Sequence, residues 1–100
     1  MELNELRGEI DEVDEELARL FTRRMKLSER IAGLKKSAGL PVRDEAREKE
    51  KLRAVEALLP PELRPYGAAL WKTLFALSRD RQRELWNDLE RLERTVNSIP

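Results

Sequence analysis

The stretch FTRRMKLSERI, residues 21–31, decides how the chain is read. Upstream of it, apolar residues recur every three or four positions: Leu3, Leu6, Ile10, Val13, Leu17 and Leu20. Downstream the series resumes at Leu27, Ile31 and Leu34 and closes on Ala38. Written as heptads, these are the a and d positions of one helix seam. The a position between Leu20 and Leu27 should be apolar, and it is Arg24. Arginine is rarely buried without a partner. The stretch therefore predicts one unbroken helix, from about Leu3 to Ala38, with a cation set into its apolar line.

Working outward, Gly39 suits the position just past a helix end, and Pro41 prevents continuation. Asp44 is a good N-cap for a second helix through Leu58 or Leu59, with an apolar line at Leu52, Val55 and Leu59. Pro60-Pro61 breaks it. A third helix is expected to start between Glu62 and Ala68 and to reach about Val96. Its stripe is Trp71, Leu74, Phe75, Leu85, Leu89, Leu92 and Val96. No stretch alternates as a strand would. The fold class is all-α, three helices with a very long first one. That helix would be roughly 54 Å long, whereas a compact domain of this length has a radius of gyration of about 13 Å. Two shorter helices cannot cover its seam, so the expected resolution is a homodimer in which the long helices pack against each other. An extended coiled-coil hairpin is the bland alternative.

Composition narrows the chemistry. Forty per cent of the 100 residues are apolar and 40% charged, with 20 basic against 20 acidic. That balance argues against a general nucleic-acid binder, and no nucleic-acid partner is expected. The chain has no cysteine and no histidine. Disulfides, thiol catalysis, histidine general bases and the usual zinc sites are excluded, and no metal or cofactor is expected. The acidic, amphipathic MELNELRGEI lacks a secretory core, and no apolar run approaches a membrane span. A cytoplasmic protein with no membrane partner is the expectation.

Arg24 is one of several polar residues in apolar places. Ser78 and Gln82, four apart, lie on the third helix's stripe, and Glu48 begins the apolar line of the second. Asp44, Arg47, Glu48 and Lys51 share a face. Arg7 and Lys35 flank the seam of the first helix at e positions. Each has a plain structural reading. The seam-flanking cations can cover apolar surface with their stems, Asp44 can simply cap, Arg47 and Glu48 can belong to a solvated face, Ser78 fits any helix interface, and Gln82 can specify register. An Arg24–Glu48 ion pair would suffice for the arginine. Taken together, cations from helix one, a carboxylate from helix two and an amide from helix three suggest a polar pocket suited to a small carboxylate-bearing anion.

Three segments carry a resemblance: LRGEIDEVDEELARLFTRR, KKSAGLPVRDEAREKEKL and LWKTLFALSRDRQ. In this order and spacing the chain resembles the all-helical chorismate mutases over about residues 3–85. It also resembles the mutase domains fused to prephenate dehydratase or dehydrogenase. Residues 1–100 would form one mutase domain, with 86–100 a helix extension and tail. The resemblance implies the Claisen rearrangement of chorismate to prephenate, with these two as ligands. Lys35, Gln82, Arg24 and Glu48 would be catalytic. The two substrate carboxylates would go to Arg7 and Arg24, and the ether oxygen would receive hydrogen bonds from Lys35 and Gln82. Glu48 would hold the ring hydroxyl, assisted by the backbone around Asp44. Arg47 would border the pocket and steady Glu48, Ser78 would contact a carboxylate, and Ile31 and Phe75 are candidates for the apolar wall. Arg79 stands where some relatives have an apolar residue. Arg7 and Arg24 lie roughly 25 Å apart along one helix, and the resemblance implies an intertwined homodimer that carries Arg7 across to the partner's site. The rival readings are an isochorismate pyruvate lyase, which shares the fold and the cationic pocket, and a non-catalytic dimeric adaptor or ligand-binding domain.

Overall fold

The computed structural model describes residues 2–99. Three helices account for nearly all of them: α1 (Glu2–Ala38), α2 (Glu45–Leu58) and α3 (Arg64–Asn97), with a single 3₁₀ turn, Pro61–Leu63, leading into the last. The expected boundaries hold to within a residue or two, for local reasons. Gly39 takes a φ of +69°, a conformation costly for a residue with a Cβ. The Leu40 N–H then bonds Lys35 O at 2.9 Å and the Gly39 N–H bonds Lys36 O at 3.2 Å. This double closure satisfies carbonyls that the helix end leaves open. Asp44 caps α2, its carboxylate accepting from the Arg47 N–H at 3.0 Å. Pro60 and Pro61 end the α2 segment and open the 3₁₀ turn.

The chain goes up, back and up again, so α1 and α3 run parallel. The two helices meet once per turn at a constant offset. Arg24 meets Ser78, Ser28 meets Gln82, Ala32 meets Trp86 and Lys36 meets Glu90, each pair 54 positions apart. Beside this ladder Arg81 bonds Glu29 at 2.9–3.0 Å. On the other side, α2 closes on α3 at Gly67, where a Cβ would run into the Leu59 side chain.

The core of one chain is small: Ala32, Val42, Val55 and Phe75 are its buried apolar residues, joined by Ser28 and Gln82. The face α1 turns to α3 is therefore the small-residue line through Ser28 and Ala32. It lies beside the leucine seam, whose Leu27, Ile31 and Leu34 stay 45–72% exposed. The first 22 described residues of α1, Glu2 to Arg23, touch no other element closely enough to be covered, and Leu3, Leu6, Ile10, Val13, Leu17 and Leu20 all stand open. The molecule measures 69 × 32 × 15 Å with a radius of gyration of 18.4 Å. No described helix is long and apolar enough to cross a membrane.

Candidate active site

Where the parallel pair α1/α3 meets α2 there is a cleft of about 330 Å³. From α1 it receives Arg24, Leu27, Ser28, Ile31 and Lys35, and from the connection Val42 and Asp44. From α2 come Arg47, Glu48 and Lys51, and from α3 Phe75, Ser78, Arg79 and Gln82. Every expected site residue except Arg7 is on this wall, as are the expected apolar residues Ile31 and Phe75. Arg7 stands on the exposed part of α1 and lines no described cleft with them.

Five cations and two carboxylates border the cleft. Arg24 donates from Nη1 to Ser78 Oγ at 2.7 Å, and its guanidinium lies 5.9 Å from the centre of the Phe75 ring. Burial pulls its pKa below the ordinary arginine value, because desolvation disfavours the charged form. No carboxylate among the described residues pairs with it, so the Arg24–Glu48 pair that would have made it structural does not form. Lys35 is similar: its Nζ donates to Val42 O at 2.7 Å and has no described carboxylate partner. A half-buried guanidinium and ammonium, uncompensated and facing one cleft, are what a bound anion would offset.

Gln82 is 6% exposed. Its Nε2 donates to Ser28 Oγ at 2.8 Å, leaving that nitrogen a second hydrogen. Its Oε1 is buried without a partner. Ser28, which sequence reasoning did not single out, thus fixes the amide. A signal for it existed. Arg24 and Ser28 are four apart on one helix, as Ser78 and Gln82 are on the other, which makes a two-by-two polar patch.

The α2 side differs from expectation in one respect. The Arg47 guanidinium pairs with Glu50 at 3.1 Å and leaves Glu48 alone. Successive residues on a helix do not face each other, whereas residues three apart do. Glu48 is held by Arg79, whose Nη1 lies 2.6 Å from both carboxylate oxygens.

The sequence profile for chorismate mutase type II matches residues 6–83. A bifunctional chorismate mutase/prephenate dehydratase of Aquifex aeolicus (strain VF5) is 51% identical over 49 residues, which are 49% of this chain and 14% of that protein. The chain thus spans only a small part of that relative. No solved structure gives a significant match. The matched span runs from Leu6 to Arg83 and takes in every element that builds the cleft, and on that match the chain belongs to the chorismate mutase type II family.

Proposed function

We propose that the chain is a chorismate mutase that turns chorismate into prephenate in the α1/α2/α3 cleft. The observation that carries this reading is the pair of uncompensated cations, Arg24 and Lys35, beside the buried Gln82 amide. The reaction is a pericyclic [3,3] shift within one molecule. One C–O bond breaks, one C–C bond forms, and no proton moves to or from the protein. A site without histidine or cysteine is sufficient for it.

Two tasks fall to the cleft. The first is to hold the flexible dianion in its folded, reactive conformer, which converts lost freedom into rate. Arg24 with Ser78 grips one carboxylate, and Glu48 accepts the ring hydroxyl. The second is to stabilise negative charge growing on the ether oxygen. Lys35 Nζ and the free hydrogen of Gln82 Nε2 are the donors, and a preorganised donor of this kind contributes ~3 kcal/mol.

The second carboxylate needs Arg7, which we assign to a partner. In this reading two chains pair α1 against α1, antiparallel, and each lends its Arg7 to the other's cleft. Two features support it. The leucine seam of Leu3 to Leu20 lies open. Charge on α1 is also split: residues 2–16 carry Glu2, Glu5, Glu9, Asp11, Glu12, Asp14, Glu15 and Glu16 against Arg7 alone. Residues 17–38 carry Arg19, Arg23, Arg24, Lys26, Arg30, Lys35 and Lys36 against Glu29 alone. Antiparallel pairing sets the acidic half of each helix on the basic half of the other, and parallel pairing sets like on like. The cytoplasm is the setting that this reading assumes.

The test is direct. Purified protein added to chorismate should abolish its absorbance and yield prephenate, which acid converts to phenylpyruvate. Pyruvate release from isochorismate without chorismate turnover would favour the lyase. Turnover of neither substrate would leave a binding domain.

A further inference from the structure

We infer that Arg79 is a positioning residue that aims Glu48 at the substrate's ring hydroxyl. This rests on the activity proposed above. The two side chains come from different helices, 31 positions apart, and are each about four-fifths buried. Arg79 is the one ionic partner of Glu48 among the described residues, with its Nη1 at 2.6 Å from Oε1 and from Oε2. A carboxylate has about four acceptor sites. One N–H group shared between the two oxygens leaves others open, so the same carboxylate can take a hydroxyl from the cleft.

The surroundings show why Glu48 needs holding. A second cleft, of about 310 Å³, lies against the first, and Glu48, Phe75 and Arg79 line both. Arg43, Lys49 and Lys72 stand on the far side. Arg43 there is paired with Glu45 at 3.5 Å, which leaves Lys49 and Lys72 to draw a glutamate that sits in the first turn of α2 and has three side-chain torsions to move. Arg79, on the partition, keeps the carboxylate at the boundary and forms part of the wall. An apolar side chain in its place would preserve the wall and release Glu48 toward the far cations. Arg47, the neighbour expected to steady Glu48, is turned to Glu50 and cannot substitute.

The experiment is a double-mutant cycle read by steady-state kinetics with chorismate. Turnover by the unmodified protein is the control; without it the activity itself fails and the inference falls with it. Given turnover, Arg79→Met, which keeps length and apolar wall, should lower kcat/KM by about 10- to 100-fold, the range for a misplaced positioning group. Arg79→Lys should recover most of that loss. In a Glu48→Gln background, adding Arg79→Met should change kcat/KM by less than about 2-fold, because the group it acts through is gone. If the two losses multiply, Arg79 acts on the substrate or on the fold and the inference is wrong. It is equally wrong if Arg79→Met leaves kcat/KM within 2-fold of the original. Should Arg79→Met fail to give a helical, cooperatively melting protein, Arg79→Gln replaces it in the same cycle and the same criteria decide.

Discussion

At the scale of single residues, the cleft turns on the buried Ser28–Gln82 contact. Ser28→Ala removes the only described partner of Gln82 Nε2. A buried donor left unmade costs about 1–3 kcal/mol, so thermal unfolding should occur several degrees lower, and kcat should fall several-fold as the amide loses its fixed aim. A variant with unchanged melting temperature and unchanged kcat would show that the amide is positioned by something else. Gln82→Glu probes the donor itself. An amide donates at any ordinary pH, whereas a carboxyl donates only while it keeps its proton. The variant should therefore be most active in acid and lose activity as pH rises through the carboxyl's pKa, while the original protein holds its rate from about pH 6 to 8. A Gln82→Glu profile as flat as the original would remove Gln82 from the ether oxygen. Arg24, Glu48, Ser78 and Gln82 were readable from sequence as candidates for one cleft because each is polar on an otherwise apolar helix line, and Lys35 because it flanks the seam and matches the motif that carries the resemblance. Ser28 carried a weaker signal, its four-residue spacing from Arg24, which is easily passed over because serine is tolerated on any helix face. The grip of Arg79 on Glu48 was not readable, because its partner lies across a turn whose packing no local pattern encodes.

At the scale of elements, the helix ends were readable and the packing face was not. Gly39, Pro41, Asp44 and Pro60-Pro61 act within a few residues of themselves, so their meaning survives without tertiary information. Periodicity located an apolar seam on α1 but could not say which neighbour takes it. Inside the chain, α3 takes the adjacent line of Ser28 and Ala32, and the seam is left over. The same contact carries an interhelical ion pair with a testable pH signature. Hydrogen bonds from Arg81, with Lys26 assisting and desolvation opposing, hold the Glu29 carboxyl below its ordinary value. The folded chain then binds that proton less readily than the unfolded one. The stabilisation is complete above the ordinary glutamate value and is lost as pH falls through the lowered folded value. Glu29→Gln should thus lower the melting temperature at pH 7, and the difference from the original should shrink toward zero in strong acid. A difference that persists unchanged at pH 2 would mean that the substitution acts through packing.

At the scale of the whole molecule, a 69 Å particle with four buried apolar residues among those described leaves most of its apolar surface open. A chain of this size normally hides more of its apolar surface, and here the leucines of the first half of α1 wait for cover. Length and seam were readable in the sequence, and the proposed pairing of two copies rests on the open face and the charge split. Mixing tests it. Arg7→Ala and Arg24→Ala homodimers should each be nearly inactive. After joint unfolding and refolding in equal amounts, about half the dimers are mixed, and each mixed dimer has one intact site, so roughly a quarter of all sites should regain activity. Because the acidic and basic halves of α1 face each other in this arrangement, the dimer should also weaken as salt rises. If native gels show mixed dimers and activity stays at the parental level, the crossed arginine is excluded.

The constant offset between α1 and α3 also limits how the chain's length can drift over evolutionary time. One residue inserted between Arg24 and Lys36, or between Ser78 and Glu90, turns everything beyond it by about 100°. Every later rung of the ladder would then lose its mate, and Lys35 or Gln82 would swing off the cleft. Gaps are tolerable where no register is kept, in residues 60–63 and beyond Glu90. Descendants of this sequence should therefore vary in loop and tail length while counting the same number of residues from Arg24 to Lys35 and from Ser78 to Gln82.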